Sequence, residues 1–263
     1  MPYVKDIIAH LETLAPGSTA ESWDNVGLLC GSGDLPVTKI LVALDPFLAV
    51  CQEAAELGAD LIVTHHPLIF SPLKSITDQT STGRCVRTLI ANGIAAVNAH
   101  TNLDVAPGGV NDVLARVLGL EDIQVLFPTG TDRSGNPVGL LRAGVVEQQT
   151  LEAFLTRVKE DLHCPGLRYC DGGKPVRRVA VGGGACASEL IQAAQAGCDT
   201  FVTADVKYNQ FWDAQDLGIN LIDAGHFYTE NPVVAVLAEN LAAAFPEIPV
   251  FISKKHRDCM KFF

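Results

Sequence analysis

The sequence predicts an α/β protein built from two similar units, each with a mostly parallel sheet flanked by helices. The first observation behind this prediction is an internal repeat, because two distant segments of the chain align without a gap. The second is the alternation of apolar runs with amphipathic helices, which is typical of β-α-β units. The third is size, because 263 residues of which 48% are hydrophobic can fill a sizeable core.

The repeat aligns Thr38–Pro67 (TKILVALDPFLAVCQEAAELGADLIVTHHP) with Arg177–Val206 (RRVAVGGGACASELIQAAQAGCDTFVTADV). Gly58 falls on Gly197 in this alignment, and each glycine is suited to end a helix. Each copy has the pattern of a buried strand, a turn, a helix and a second buried strand, which is the unit of a parallel sheet. The predicted strands are Ile40–Leu44 and Leu61–Thr64 in the first copy, and Val179–Val181 and Phe201–Thr203 in the second.

Further elements surround each copy of the repeat. An amphipathic helix that ends at Pro16 precedes the first copy. A second helix and a third strand follow each copy, and the third strands end shortly before His100 and His226. The similarity between the copies therefore extends beyond the aligned segments.

The region between the copies also has recognisable elements. Val138–Val146 alternates like a strand, and Thr150–His163 has the pattern of a helix with Thr150 as its cap. We expect the first α/β unit to span residues 1–126 and the second to span residues 127–263. Whether the two units interlock stays open.

Charge and hydropathy exclude several classes of function. With 19 Lys+Arg against 30 Asp+Glu, the formal charge is −11, which disfavours binding to nucleic acid or to an anionic membrane. No apolar stretch reaches the roughly 18 residues of a transmembrane helix, and no signal peptide is recognisable. The eight cysteines form no C-x-x-C pair and are expected to be reduced, packed residues. We therefore expect a cytoplasmic protein.

Four of the seven histidines stand at the ends of predicted strands, the edge where open α/β sheets carry ligands and catalytic groups. A single histidine at such a place is usually structural, but two of these are followed four residues later by a carboxylate. Imidazoles with carboxylates suit zinc, iron, manganese, cobalt or nickel better than magnesium or calcium. The combination favours a metal site formed from His65, His66, His100, Asp104, His226 and Glu230.

Other candidates have two interpretations each. Trp23-Asp24-Asn25 could orient a substrate or close a pocket, or could be a structural turn with a buried tryptophan. Gly182-Gly183-Gly184 could offer N–H groups to a phosphate, although a close strand-to-helix turn is favoured. Asp205 and Lys207 could form an ion pair or contact a substrate, and Asp45 has a similar place after the first strand. None of these residues is assigned to the metal shell.

Four motifs stand out along the chain: ESWDNVGLLCG (Glu21–Gly31), DLIVTHHPLIF (Asp60–Phe70), NAHTNLDVAPGGVND (Asn98–Asp112) and DAGHFYTE (Asp223–Glu230). Together they resemble the Nif-three-like family, whose members are often labelled GTP cyclohydrolase I type 2 homologues. The resemblance covers nearly the whole chain, and the length matches the short form of the family, which lacks the domain inserted in the middle of longer members.

The resemblance implies two divalent transition-metal ions per chain and a ring-shaped homohexamer. His100 matches a further histidine of the family's site and is the candidate catalytic residue, while the substrate-binding residues stay unassigned. Many relatives carry a histidine where this chain has Asn209, so any role of that histidine does not carry over. The residues that match the family's metal ligands are His65, His66, Asp104, His226 and Glu230.

The activity that the resemblance implies is a GTP cyclohydrolase I type 2 reaction. In it, metal-activated water opens the imidazole ring of the guanine of GTP, and formate leaves. Two alternatives stay open: a two-metal phosphoesterase acting on another nucleotide, and a non-catalytic metal-binding or regulatory protein. Five ligands for two ions leave coordination positions open, which favours an enzyme over a structural site.

Overall fold

The computed structural model of the chain describes residues 1–132 and 134–262. The described residues form two compact units. The first contains Met1–Leu103 and Val234–Asp258, and the second contains Asp104–Val233 and the segment that begins at Cys259. A mixed α/β architecture with helices flanking the sheets is confirmed.

Helices and strands alternate along most of the chain. Those of the first half are, in chain order, α1 (Val4–Leu14), β1 (Gly27–Cys30), β2 (Ile40–Ala43), α2 (Leu48–Leu57), β3 (Leu61–Thr64), α3 (Ser81–Ala91), β4 (Ala95–Asn98), α4 (Thr101–Val105), α5 (Val110–Val117) and β5 (Glu121–Leu126). Those of the second half are β6 (Gly130–Thr131), β7 (Pro137–Val138), β8 (Leu141–Gln149), α6 (Leu151–Asp161), β9 (Arg168–Cys170), β10 (Val176–Val181), α7 (Leu190–Gln195), β11 (Thr200–Thr203), α8 (Tyr208–Leu217), β12 (Asn220–Asp223), α9 (His226–Glu230), α10 (Pro232–Ala244) and β13 (Val250–Ile252).

The sheet of the first unit has the strand order β1-β4-β3-β2-β13. Strands β2, β3, β4 and β13 are parallel, and β1 is an antiparallel edge strand. Every residue of β2, β3 and β4 is buried, as their uninterrupted apolar runs predict. Helices α2 and α3 cover one face with buried side chains that include Val50, Cys51 and Leu89.

The sheet of the second unit has the order β5-β8-β10-β11-β12-β9. Its central strands β10, β11 and β12 are parallel, whereas β5, β8 and β9 pair antiparallel. Phe154 and Val158 of α6 are completely buried in the core against this sheet. Thr150 is the cap of α6 as predicted, because its Oγ1 accepts a hydrogen bond from Ala153 N at 3.2 Å.

The two units also share an equivalent side-chain hydrogen bond, in keeping with the repeat. Asp60 Oδ2 accepts a hydrogen bond from Lys39 N at 3.2 Å. At the matching positions, Asp199 Oδ2 accepts one from Arg178 N at 2.7 Å. Each aspartate therefore joins the start of its second strand to the start of its first.

Two expectations from composition concern the chain as a whole. The eight cysteines are free thiols, and all of them except Cys170 and Cys259 are buried. No helix in the described part of the chain has the length and apolar character needed to cross a bilayer.

Candidate metal centre

Three histidines of the first unit come together where its parallel strands end. His65 and His66 directly follow β3, and His100 follows β4 after one residue. Strands β3 and β4 are paired in register, so their carboxyl ends lie side by side at one edge. The three ring centroids are 4.9 to 5.6 Å apart, and the ligand atoms of the three residues lie within 4.8 Å of one another.

Aspartates hold two of these imidazoles through Nδ1. His66 Nδ1 lies 2.6 Å from Asp45 Oδ1. His100 Nδ1 lies 2.8 Å from Asp24 Oδ1. Because an ionised carboxylate only accepts hydrogen bonds, each neutral imidazole carries its proton on Nδ1 and its lone pair on Nε2.

His65 is held in the same way by a backbone carbonyl. It is completely buried, and its Nδ1 donates to Ala99 O at 2.9 Å. All three histidines therefore present the unprotonated Nε2 as a possible ligand atom. Histidine ligands of metals are typically oriented by such a bond from the other ring nitrogen to a carboxylate or carbonyl.

A histidine and a glutamate of the second unit lie one helical turn apart on α9. His226 begins this helix and Glu230 ends it, so both face the same side. Their Nε2 and Oε2 atoms are 3.1 Å apart. His226 Nδ1 lies 2.8 Å from Asp205 Oδ2, which repeats the arrangement of the first unit.

Asp104 is a buried residue of the second unit, and its carboxylate lies near that of Glu230. Ligand atoms of the two side chains lie within 4.8 Å of each other. The thiol of Cys186, which donates to Gly183 O at 3.0 Å, lies in the same region. Burial raises the pKa of Cys186 well above its ordinary value, and the charges of Asp104 and Glu230 raise it further. The same region therefore contains two buried carboxylates, which suits a cation.

The three glycines after β10 form a close turn against neighbouring elements. Gly183 N donates to Asn111 Oδ1 at 2.7 Å, and Gly184 N donates to Thr229 Oγ1 at 3.0 Å. Gly182 N donates to a carbonyl of β11 at 3.0 Å. These N–H groups have protein acceptors, so the structure supports the close turn and not the phosphate interpretation.

Gly184 also borders Glu230 directly. Its φ is +62°, a backbone conformation that favours glycine. A Cβ at this position would overlap Glu230 Oε1 and would lie 3.2 Å from His226 Nε2. The glycine therefore leaves the space in which the Glu230 carboxylate sits.

Asp24 explains part of the Trp23-Asp24-Asn25 motif. Its Oδ2 accepts hydrogen bonds from the backbone N and the hydroxyl of Thr101 at 3.1 and 2.5 Å, in addition to the bond with His100. Burial would raise the pKa of Asp24, but the hydrogen bonds from His100 and Thr101 lower it below its usual value. The motif is thus a turn that orients His100, although Trp23 is 59% exposed and not buried.

Three aspartates support the histidines, and sequence patterns do not clearly indicate these roles. Asp45 and Asp205 each follow a buried strand, and neither is predicted to be a metal ligand. Their carboxylates contact the Nδ1 atoms, on the side of each ring away from the coordinating nitrogen. The one signal in the sequence is the repeat, which places Asp205 at the position equivalent to His66.

The donors fit a transition metal. Imidazole nitrogens and carboxylate oxygens are the ligands that zinc, iron, manganese, cobalt and nickel take in proteins. Histidine and glutamate groups that could bind a metal are therefore present in the chain. His100 differs from an ordinary exposed histidine because burial, and then the nearby His65, lower its pKa.

Comparison with known proteins identifies relatives over nearly the full length. The profile of the family described as Duf34/NIF3 (NGG1p interacting factor 3) matches residues 2–259. A protein of Clostridium acetobutylicum named GTP cyclohydrolase 1 type 2 homolog is 35% identical over 265 residues, covering 98% of each chain. A Staphylococcus aureus protein of the same name is 30% identical over 326 aligned residues, more than this chain contains, so it carries additional residues within the aligned span.

Solved structures of similar proteins have the same fold as this chain. A Staphylococcus aureus hypothetical protein, SA1388, has a TM-score of 0.92 at 33% identity and is covered completely, as is this chain. A Bacillus cereus protein related to NIF3 has a TM-score of 0.93 at 29% identity, covering 100% of this chain and 99% of that one. The fold and the recognisable motifs thus point to the same group of proteins.

Proposed function

The chain belongs to the Duf34/NIF3 family, and we propose that it is a metal-dependent hydrolase that binds two divalent transition-metal ions per chain. The proposed ligands are His65, His66, Asp104, His226 and Glu230. Bound there, two ions would polarise the bond under attack and make water nucleophilic near neutral pH. Side chains of the protein carry out the remaining steps.

The observation that carries this proposal is the way in which the histidines are held. In each unit, imidazoles at strand ends donate Nδ1–H to an acceptor within 2.6 to 2.9 Å, and so present Nε2. Histidines with purely structural roles would not all need to form their hydrogen bond through the same ring nitrogen. For His65, His66 and His226 this shared orientation supports coordination as their common task, and in His100 it leaves Nε2 available for proton transfer.

His100 is the proposed group for proton transfer. Its Nε2 can take a proton while Nδ1 stays bonded to the Asp24 carboxylate, which stabilises the imidazolium that forms. Its Nε2 can then return the proton to the leaving nitrogen. Asp24 and Thr101 fix the ring, so the proton is exchanged at one defined atom.

The proposed reaction follows from the names of the relatives. Several are named GTP cyclohydrolase 1 type 2 homolog, so the candidate reaction is hydrolytic opening of the guanine imidazole ring of GTP with loss of formate. We further propose a cytoplasmic protein that assembles as a ring-shaped homohexamer. A two-metal phosphoesterase and a non-catalytic metal-binding protein are the competing possibilities.

Turnover by metal-loaded protein tests the proposal. Purified chain reconstituted with zinc, manganese, cobalt, nickel or iron would be assayed for formate release from GTP and for phosphate release from nucleotides. We expect metal-dependent formate release that is lost in Glu230→Ala and reduced in His100→Ala with its metal retained. Phosphate release alone would favour the phosphoesterase, and no turnover by fully metallated protein would favour a non-catalytic role.

A further inference from the structure

Two large aromatic side chains of the first unit stand exposed beside His100. Trp23 is 59% exposed and Phe70 is 56% exposed. Their ring centroids are 5.9 Å apart, with an angle of 58° between the ring planes. Each centroid also lies 6.3 Å from that of His100, in an edge-on arrangement. We call Trp23 and Phe70 the aromatic pair.

Hydrogen bonds hold the segments that carry the aromatic pair. Asn25 Nδ2 donates to Ile69 O at 2.6 Å and so joins the two segments next to their aromatic residues. Asn98 Nδ2 donates to Asn25 O at 3.2 Å, which fixes the same turn to the end of β4. Asp24 binds His100 from the adjacent position. The backbone that follows Trp23 is thus anchored to the edge that carries the histidines.

An anchored but exposed aromatic pair is unusual for a surface that serves only folding. Tryptophan and phenylalanine contribute most to stability when their faces are buried, and here more than half of each is in contact with water. Binding sites for small molecules are lined by such rings next to a few well-placed polar groups. His100 supplies the polar group at this place.

The spacing determines how a ligand could bind. A flat ring held between two others needs about 7 Å between their centroids, twice the van der Waals separation. The pair is 5.9 Å apart, so a ring does not fit between its members. A planar ligand can therefore contact the aromatic pair only from its exposed outer side, next to His100.

We propose that Trp23 and Phe70 bind the planar heteroaromatic ring of the substrate, such as a purine base, and place it against His100. This inference rests on the proposed function, because it names the substrate class of the same site. A substrate with a flat ring gains stacking on the aromatic pair, whereas an aliphatic amide or a simple sugar phosphate does not. The ring, more than a phosphate chain, then provides the recognition at this place.

Fluorescence provides a direct test, because the chain has two tryptophans. Trp212 lies on α8 of the second unit, so Trp212→Phe leaves Trp23 as the reporter. The metal-loaded variant would be titrated with guanosine, which has the purine ring but no phosphate, and with ribose 5-phosphate, which has a phosphate but no purine ring. We expect saturable quenching of Trp23 by guanosine and none by ribose 5-phosphate.

Binding of guanosine by calorimetry tests the same residues without the reporter. Stacking of a base on an aromatic side chain predicts about 5- to 150-fold weaker binding for Trp23→Ala. Phe70→Leu should weaken binding in the same direction, and Phe251→Leu, an exposed phenylalanine on the edge strand β13, should not. Metal content should be unchanged in all three variants.

Several results would overturn the inference. They are no response of Trp23 to guanosine, equal responses to guanosine and ribose 5-phosphate, or unchanged guanosine binding in Trp23→Ala. A Trp23 signal that depends on protein concentration alone would assign the pair to contact with a second copy of the chain and would also overturn it. If the protein turns over GTP but gives one of these results, the proposed function stands and the aromatic pair is not a binding site for the ring. If the protein binds guanosine at Trp23 but binds no metal, the binding site stands and the proposed function fails.

Discussion

Replacing Gly184 by alanine perturbs the carboxylate of Glu230 without replacing any candidate ligand. The new Cβ would overlap Glu230 Oε1, lie 3.0 Å from its Cδ and lie 3.2 Å from His226 Nε2. Glu230 is 4% exposed, so its carboxylate cannot move aside into solvent. We expect the carboxylate to leave its present position and metal binding to weaken.

The size of the effect has two parts. A non-glycine residue at φ +62° costs about 1 kcal/mol of folding stability, partly offset by a stiffer unfolded chain. For a chain of this size that corresponds to a Tm lower by about 2–4 °C. Displacing Glu230 adds a loss of metal affinity of at least about 10- to 100-fold, the usual effect of disturbing the surroundings of a metal ligand.

Gly197→Ala is the matched control. Gly197 belongs to the same unit and has a similar φ of +77°, but a Cβ there would have no neighbour within 4 Å. In thermal unfolding of the metal-free protein, Gly197→Ala should show the loss from backbone conformation alone, and Gly184→Ala should lose at least as much because its Cβ also overlaps a buried side chain. Metal titration should separate them, because only Gly184→Ala should bind metal weakly.

Wild-type metal affinity in Gly184→Ala, together with the same thermal loss as Gly197→Ala, would refute this prediction. That result would mean that the position of the Glu230 carboxylate is irrelevant to metal binding. Equal loss of metal in both variants would also refute it, because the loss would then come from backbone strain alone.

Further predictions concern the groups behind the ligands. Asp205→Asn keeps the size of the side chain but removes the charged acceptor of His226, so metal affinity should fall by about 10- to 100-fold in a metal titration. Asp24→Asn should lower turnover by up to about 100-fold with metal content unchanged, because His100 loses the negative charge that stabilises its protonated form; loss of metal instead would make His100 a ligand. His65→Ala should lose metal while far-ultraviolet circular dichroism stays that of the wild type, because His65 is buried but follows β3 and belongs to no helix or strand; a loss of helical signal would show that the fold needs this side chain. Metal occupancy should also fall as pH drops from about 7 to 5, because imidazoles must be deprotonated to coordinate, and a flat profile would argue against histidine ligands.

The parallel strands could be predicted from the sequence because each is an uninterrupted apolar run. Strands β2, β3 and β4 are buried on both faces, and their apolar composition follows from this burial. Strand β13 could not be predicted, because Val250–Ile252 pairs with residues 40–42, more than 200 positions away. Its side chains are half-buried or exposed, so it leaves no apolar signal.

The histidines of the candidate site were predictable for a different reason. Parallel strands bring their carboxyl ends to one edge, so residues that follow different strands become neighbours, as His65 and His100 do. The supporting aspartates were not predictable, because acidic residues after strands are common and their partners depend on side-chain direction. Asp45 and Asp205 show this, since both support a histidine although the repeat aligns Asp205 with His66 and Asp45 with Gly184.

Metal content per chain is the decisive measurement for the proposed two-ion centre. Untagged protein purified without chelator, and the same protein after reconstitution, would be analysed for transition metals beside Glu230→Ala and the exposed control Glu239→Ala. We expect about two ions per chain in the wild type and in Glu239→Ala, and fewer in Glu230→Ala. No bound metal after reconstitution, or equal metal in Glu230→Ala and the wild type, would contradict the proposed centre.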